Sequence, residues 1–108
     1  PMEFNNETVQ GVWEKARATN DEDPNEWRKD ECGAWIKYDQ YGHQASDFGW
    51  KIESVTAGEQ HTLENLRPFQ HENSFVLATG QPRCLVTADR EGMSPTASID
   101  TPRNKSAG

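Results

Sequence analysis

The residues best suited to chemistry lie in one central stretch of the sequence. Glu53, His61 and His71 carry side chains that bind divalent metals, and Asn65 lies between the two histidines. A carboxylate and two imidazoles could form a Glu/His site for a divalent cation such as Mg²⁺ or Zn²⁺. In the ordinary alternative, His61 is a loop residue and His71 lies at the start of a helix, and neither has a chemical role. The spacing leaves both interpretations open.

The elements that must position these residues run from Phe48 to Ser74. Phe48, Trp50 and Ile52 alternate with polar residues, which is the period of a half-buried strand. A polar loop and a short apolar piece, 66–69, follow. The next segment, 71–80, predicts a short helix closed by a C-terminal glycine. The predicted order is therefore strand, loop, strand, helix.

Several motifs in this order resemble the HNH endonucleases of the ββα-metal class. The resemblance covers about residues 8 to 90 and implies an α+β fold with an N-terminal helix, a small antiparallel sheet and an HNH-like ββα-metal unit. The motifs that carry it are Trp27-Arg28-Lys29-Asp30-Glu31-Cys32-Gly33-Ala34-Trp35-Ile36, Tyr41-Gly42, Gly49-Trp50-Lys51-Ile52-Glu53-Ser54 and Asn65-Leu66-Arg67-Pro68.

The resemblance also implies roles for single positions. In such enzymes an Asp holds the metal, a His activates the attacking water, an Asn orients that His, and a residue of the following helix completes the metal site. These positions hold Glu53, Ser54, Asn65 and Ser74, or Asn73 if the register shifts by one. A serine hydroxyl does not accept a proton near neutral pH without a base of its own. We therefore expect vestigial positions, with no catalytic residue, no bound metal and no cofactor.

A divergent, metal-dependent HNH endonuclease is the alternative hypothesis. It would hydrolyse DNA with Glu53, His61, Asn65 and His71 around Mg²⁺ or Zn²⁺. A relocated base would have to reach the attacking water from a different strand position, and small displacements reduce the rate steeply. We favour an inactive domain that acts as a binding or regulatory module, with an unidentified protein as its partner.

The charge of the chain also favours a protein partner over nucleic acid. The net charge is −7 over 108 residues, and the predicted helix 71–80 contains no Lys or Arg that could face a phosphate. Weak nucleic-acid binding stays open. No segment reads as a membrane span or a signal peptide, so we expect no membrane partner and a cytoplasmic location.

The remaining sequence predicts a single domain, 1–92, and a disordered tail, 93–108, which is rich in small and polar residues. A first helix is predicted from Asn5 to Ala18, a helical or irregular turn near Trp27, and strands over 34–38 and 84–88. Gly42 is expected at positive φ. Cys32 and Cys84 are interpreted as buried, reduced thiols, although both lie in predicted strand segments and could be neighbours.

Overall fold

The computed structural model describes residues 4–58, 62–89 and 101–108. These residues form an α+β fold with one helix and four two-stranded antiparallel sheets, β1–β2, β3–β4, β5–β6 and β7–β8. Two short 3₁₀ turns, Tyr38–Gln40 and Leu63–Asn65, connect the strands. The elements are α1 (Asn6–Trp13), β1 (Trp27–Lys29), β2 (Trp35–Lys37), β3 (Trp50–Ser54), β4 (Leu66–Gln70), β5 (Ser74–Val76), β6 (Gln81–Arg83), β7 (Val86–Thr87) and β8 (Lys105–Ser106).

Helix α1 is shorter than the sequence predicts. It begins after Asn5, whose side chain accepts a hydrogen bond from the Thr8 amide, and it ends at Trp13 instead of Ala18. The Arg28 guanidinium donates to the carbonyls of Glu14 and Ala16, which the end of the helix leaves without helical partners. The chain beyond this end can then pair with β1 instead of continuing as a helix.

The hydrophobic core lies between α1 and the β3–β4 hairpin. Trp13 of α1 packs on Trp50 of β3 with ring centroids 5.4 Å apart, and its indole N–H donates to the Pro24 carbonyl. Aromatic rings provide much of this core because each buries a large apolar area. The buried cluster comprises Val9, Val12, Trp13, Ala16, Ile36, Trp50 and Leu66.

The β3–β4 hairpin pairs Trp50 with Gln70 and Ser54 with Leu66. The period-two run at 48–52 therefore identified a real strand, although the strand begins at Trp50. The hairpin requires glycine at Gly49, because a Cβ there would lie 1.8 Å from the backbone oxygen of His43. Gly42 has φ 79°, which confirms its expected positive φ.

The predicted helix over 71–80 is wrong. β5 and β6 form a hairpin there, with Phe75 opposite Pro82, and Gly80 adopts φ 68° in the connecting turn. A short apolar run does not distinguish a helix from a strand by periodicity alone. The aromatic and β-branched residues Phe75 and Val76 favour the strand, so the third element of the expected ββα order is a hairpin.

The predicted reduced thiols are also wrong, because Cys32 and Cys84 form a disulfide bond. The turn after β1 lies beside β7, where the Ala88 amide donates to the Gly33 carbonyl and the Thr87 hydroxyl donates to the Cys32 carbonyl. These contacts bring the two Cα atoms to 5.4 Å, within bonding range.

Part of the predicted disordered tail is docked on the domain. β8 pairs with β7, and the Asn104 side chain hydrogen-bonds the backbone N–H and C=O of Trp35. The prediction therefore fails for 101–108, because backbone pairing and one polar side chain hold a segment that has few apolar residues. Residues 93–100 lie outside the described ranges. No described helix has the length and apolar character needed to cross a membrane.

Candidate functional site

Glu53 at the end of β3 is held by interactions within the domain. Its Oε1 accepts a hydrogen bond of 2.7 Å from the backbone amide of Phe75, and its Oε2 lies 3.2 Å from Nζ of Lys51. Lys51 lies two residues earlier on the same face of the strand. Oε1 therefore holds β5 against β3, and Oε2 pairs with a lysine of β3 itself.

Ser54 and Asn65 lie at the same end of the β3–β4 ladder. The Ser54 hydroxyl donates to the Thr56 carbonyl at 2.9 Å and accepts from the Thr56 amide, which closes a local turn. The Asn65 side chain donates to the Thr62 hydroxyl at 3.1 Å, and its backbone carbonyl accepts from Val55. The structure thus brings Glu53, Ser54 and Asn65 together, and each has a local hydrogen-bonding role.

Ser74 and Asn73, the two alternatives for the metal position on the element after β4, have different surroundings. Ser74 begins β5 opposite Arg83, one residue before the amide that binds Glu53. Asn73 is fully buried, and its Oδ1 accepts from the amides of Leu85 and Val86. Its Nδ2 donates to the Val86 carbonyl and to Asp30. Asn73 therefore connects β7 to the centre of the domain.

The alternative ligands Glu53 and His71 are not brought together. The His71 amide donates to the Gly49 carbonyl, so His71 lies at the opposite end of the ladder from Glu53. Glu53 lies four positions after Gly49, or about 13 Å along the strand. His61 lies outside the described residues. Among the described residues, no three side chains of His, Cys, Asp or Glu converge in a metal-binding arrangement.

Asp30 is the most extensively hydrogen-bonded carboxylate described, and it is 2% exposed. It accepts from the amides of Cys32, Ala34 and Gln70 and from the Asn73 side chain, at 2.9 to 3.0 Å. Burial raises the pKa of this carboxyl, while the four hydrogen bonds oppose that increase. Asp30 therefore joins the turn after β1 to β4 and to Asn73.

A basic cleft lies between the C-terminal side of α1 and β4. Arg17 and Lys29 pair through two backbone hydrogen bonds of 2.8 Å, which places the chain after α1 along β1. The cleft has a volume of about 560 Å³. Its lining contains four basic and two acidic side chains, in contrast to the net charge of −7 of the whole chain; the lining residues are Lys15, Ala16, Arg17, Lys29, Asp30, Glu31, Arg67 and Pro68.

The basic side chains of the cleft differ in how they are paired. Arg17 and the buried Lys29 share the carboxylate of Asp89, at 2.9 and 2.8 Å. Arg67 donates from Nη1 to both carboxylate oxygens of Glu31. Lys15 donates to two backbone carbonyls, those of Leu63 and Leu66, instead of to a carboxylate.

The sequence pattern does not predict the basic cleft. Lys15 and Arg17 come just after the C-terminal end of α1, where cations are favoured. Lys29 and Arg67 come from strands far along the chain, so no local pattern groups the four. A cluster of two basic residues at the end of α1 was the available signal, and it does not predict a cleft.

Comparisons with family models, with curated proteins and with solved structures found no match to this chain.

Proposed function

We propose that this domain is a degenerate HNH-like module that binds a protein partner and does not hydrolyse phosphodiesters. The observation that carries the proposal is the position of Glu53. Its two oxygens hold the Phe75 amide and Lys51, so the carboxylate that would hold a metal in such enzymes serves the packing of β5. A metal bound by Glu53 would compete with Lys51 and the backbone amide for the carboxylate oxygens.

Two further features support the same proposal. The hydroxyl of Ser54, in the position of the general base, closes a turn with Thr56. The segment expected to supply a helical metal ligand is the β5–β6 hairpin, which departs from the ββα order. The HNH-like scaffold is therefore proposed from the sequence motifs and the β3–β4 hairpin, with the third element replaced.

A plasmid-nicking assay tests the absence of hydrolysis. Supercoiled DNA is incubated with the protein and with Mg²⁺, Mn²⁺ or Zn²⁺ in turn, and we expect no nicked product above the protein-free control. Glu53→Gln and Glu26→Gln are the matched variants, since both remove one negative charge and Glu26 is an exposed residue outside β3.

The decisive result against the proposal would be metal-dependent nicking that Glu53→Gln abolishes and Glu26→Gln preserves. The divergent nuclease would then be the better function. Nicking that both variants preserve would not depend on the Glu53 site, and it would overturn the proposal unless a mock purification without the protein gave the same nicking.

A further inference from the structure

We propose that the basic cleft binds a single carboxylate of a protein partner, one that is flanked in the partner's sequence by basic residues. This inference rests on the proposed function and names the chemistry of its partner. Four observations support it. They are the N–H groups of Lys15 and Arg67 that have no hydrogen-bond partner among the described residues, the position of both cations in one cleft, the acidic side chains around them and the size of the cleft.

Arg67 and Lys15 provide hydrogen-bond donors in the cleft that a ligand could use. Within the described chain, Arg67 donates hydrogen bonds from Nη1 and its guanidinium carbon lies 5.5 Å from the centroid of the Phe75 ring, so Nε and Nη2 are the donors that a ligand could use. Lys15 uses two of its three protons on the carbonyls of Leu63 and Leu66. A guanidinium edge binds a carboxylate through two parallel hydrogen bonds, and an ammonium adds a third donor. The Nε of Arg17 is buried, so it is not counted among these donors.

Lys15 and Arg67 line the same cleft, and Lys15 donates to the carbonyl of Leu66, the residue before Arg67. Burial lowers the pKa of Lys15, and the positive charge of Arg67 lowers it further. Two like charges beside one opening are stabilised by an anion between them. Because Lys15 donates only to neutral carbonyls, the anion would not have to displace an acidic partner from it.

Acidic side chains surround this positive centre. Glu31 lines the cleft and pairs with Arg67, and Asp89 contacts Arg17 and Lys29. A nucleic acid carries a phosphate at every nucleotide, so a bound strand would meet these acids as well as the cations. One carboxylate between basic neighbours matches the arrangement better, because its flanking cations would face the acidic rim.

The cleft is large enough for one side chain and its adjoining backbone. Its volume of about 560 Å³ lies within the range of roughly 300–1,000 Å³ typical of ligand pockets. Pro68 and Ala16 supply apolar lining beside the basic groups, and the aliphatic parts of a flanking lysine could pack there.

The test uses two short peptides and the ¹⁵N-labelled protein. One peptide is acetyl-Lys-Ala-Asp-Ala-Lys-amide, and the other replaces its Asp with Asn. We expect the Asp peptide to shift the amide signals of Lys15, Glu31 and Arg67 in NMR titrations, with at least about tenfold higher affinity than the Asn peptide. Its binding should weaken as the salt concentration rises.

Variants of the protein separate the cleft from general charge. Arg67→Gln should reduce the affinity for the Asp peptide about tenfold, and Arg67→Lys should recover only part of the loss because lysine lacks the planar fork. Arg83→Gln is the matched control, since Arg83 is an exposed arginine on β6 and the charge change is the same. Unchanged amide signals outside the cleft would show that each variant is folded.

Acetate and a single-stranded oligonucleotide complete the test. The inference is overturned if the Asp and Asn peptides bind alike, if neither binds at millimolar concentration, or if Arg83→Gln matters as much as Arg67→Gln. Acetate that binds as tightly as the Asp peptide would assign the cleft to small carboxylic acids. An oligonucleotide that binds more tightly, and loses affinity in Arg67→Gln, would assign it to nucleic acid. The peptide titrations measure binding and the plasmid assay measures hydrolysis. The cleft proposal can therefore fail while the absence of hydrolysis holds, and the reverse.

Discussion

Two carboxylates reach opposite ends of the β3–β4 ladder, and their surroundings differ. Asp30 accepts the Gln70 amide at one end, is buried and has four donors from three parts of the chain. Glu53 lies at the other end, is partly exposed and holds one amide and one lysine. The comparison teaches that the carboxylate with the most specific polar surroundings, Asp30, is the one for which the sequence predicted no chemical role.

Of the variants that test this comparison, Asp30→Asn should have the largest effect on stability. An amide group cannot accept four hydrogen bonds, and its N–H₂ would face a donor such as the Gln70 amide. We expect a loss of about 4 kcal/mol in the free energy of unfolding, or failure to fold. Urea unfolding would measure it. Glu31→Gln, which affects only the exposed pair with Arg67, should cost about 0.5 kcal/mol; equal losses for the two variants would refute the distinction.

Removal of the disulfide, which lies near Asp30, should have the next largest effect on stability. The double variant Cys32→Ala/Cys84→Ala opens a loop with a sequence separation of 52 residues. We expect a loss of about 3 kcal/mol, because the unfolded chain gains conformational freedom. Thermal unfolding with and without reductant checks this. Reductant should destabilise the parent protein and leave the double variant unchanged, and a parent protein insensitive to reductant would contradict the prediction.

Asn104→Ala should have an intermediate effect. The variant removes hydrogen bonds to both backbone groups of Trp35 and to the Asp47 carbonyl. We expect a loss of about 1–2 kcal/mol and faster hydrogen exchange at the Trp35 amide. Lys105→Ala, an exposed neighbour on β8, should leave both measurements unchanged. Wild-type exchange at Trp35 in Asn104→Ala would show that 101–108 does not hold this strand.

Glu53→Gln should have the smallest effect on stability. The Gln oxygen can still accept from the Phe75 amide, and only the partly exposed ion pair with Lys51 is lost. We expect a change below about 1 kcal/mol. The same urea measurement as for Asp30→Asn makes the two isosteric replacements comparable. A loss near that of Asp30→Asn would mean that the two ends of the ladder contribute equally.

The sequence predicted the parts of the fold that local patterns determine. Alternation at Trp50 and Ile52 identified β3, and the apolar piece at Leu66 identified β4. The start of the first helix was predicted correctly. Its end depends on hydrogen bonds from Arg28, a residue of β1, and the local sequence of the helix does not predict them. The α+β class was implied by the resemblance to HNH endonucleases, and the alternation at β3 supported it.

The rest of the fold depends on contacts between distant segments. The disulfide forms because β7 lies beside the turn after β1, and no spacing of two cysteines predicts that proximity. The β5–β6 hairpin forms where Phe75 can pack on Phe69, with ring centroids 6.5 Å apart. The basic cleft likewise collects Lys15, Lys29 and Arg67 from separate elements.

The disulfide also bears on where the protein would be stable. Disulfide bonds persist in oxidising compartments and are uncommon in the cytosol, so the bond between Cys32 and Cys84 does not favour the cytoplasmic location expected from the sequence. The location itself remains a prediction.

The bond between Cys32 and Cys84 has a consequence for proteolysis. It makes the segment 33–83, which contains β2 to β6, part of a covalent ring. A protease that cuts once inside this ring leaves both products joined through sulfur. The cleaved protein would therefore migrate as one species on a non-reducing gel and separate into two fragments only after thiol treatment.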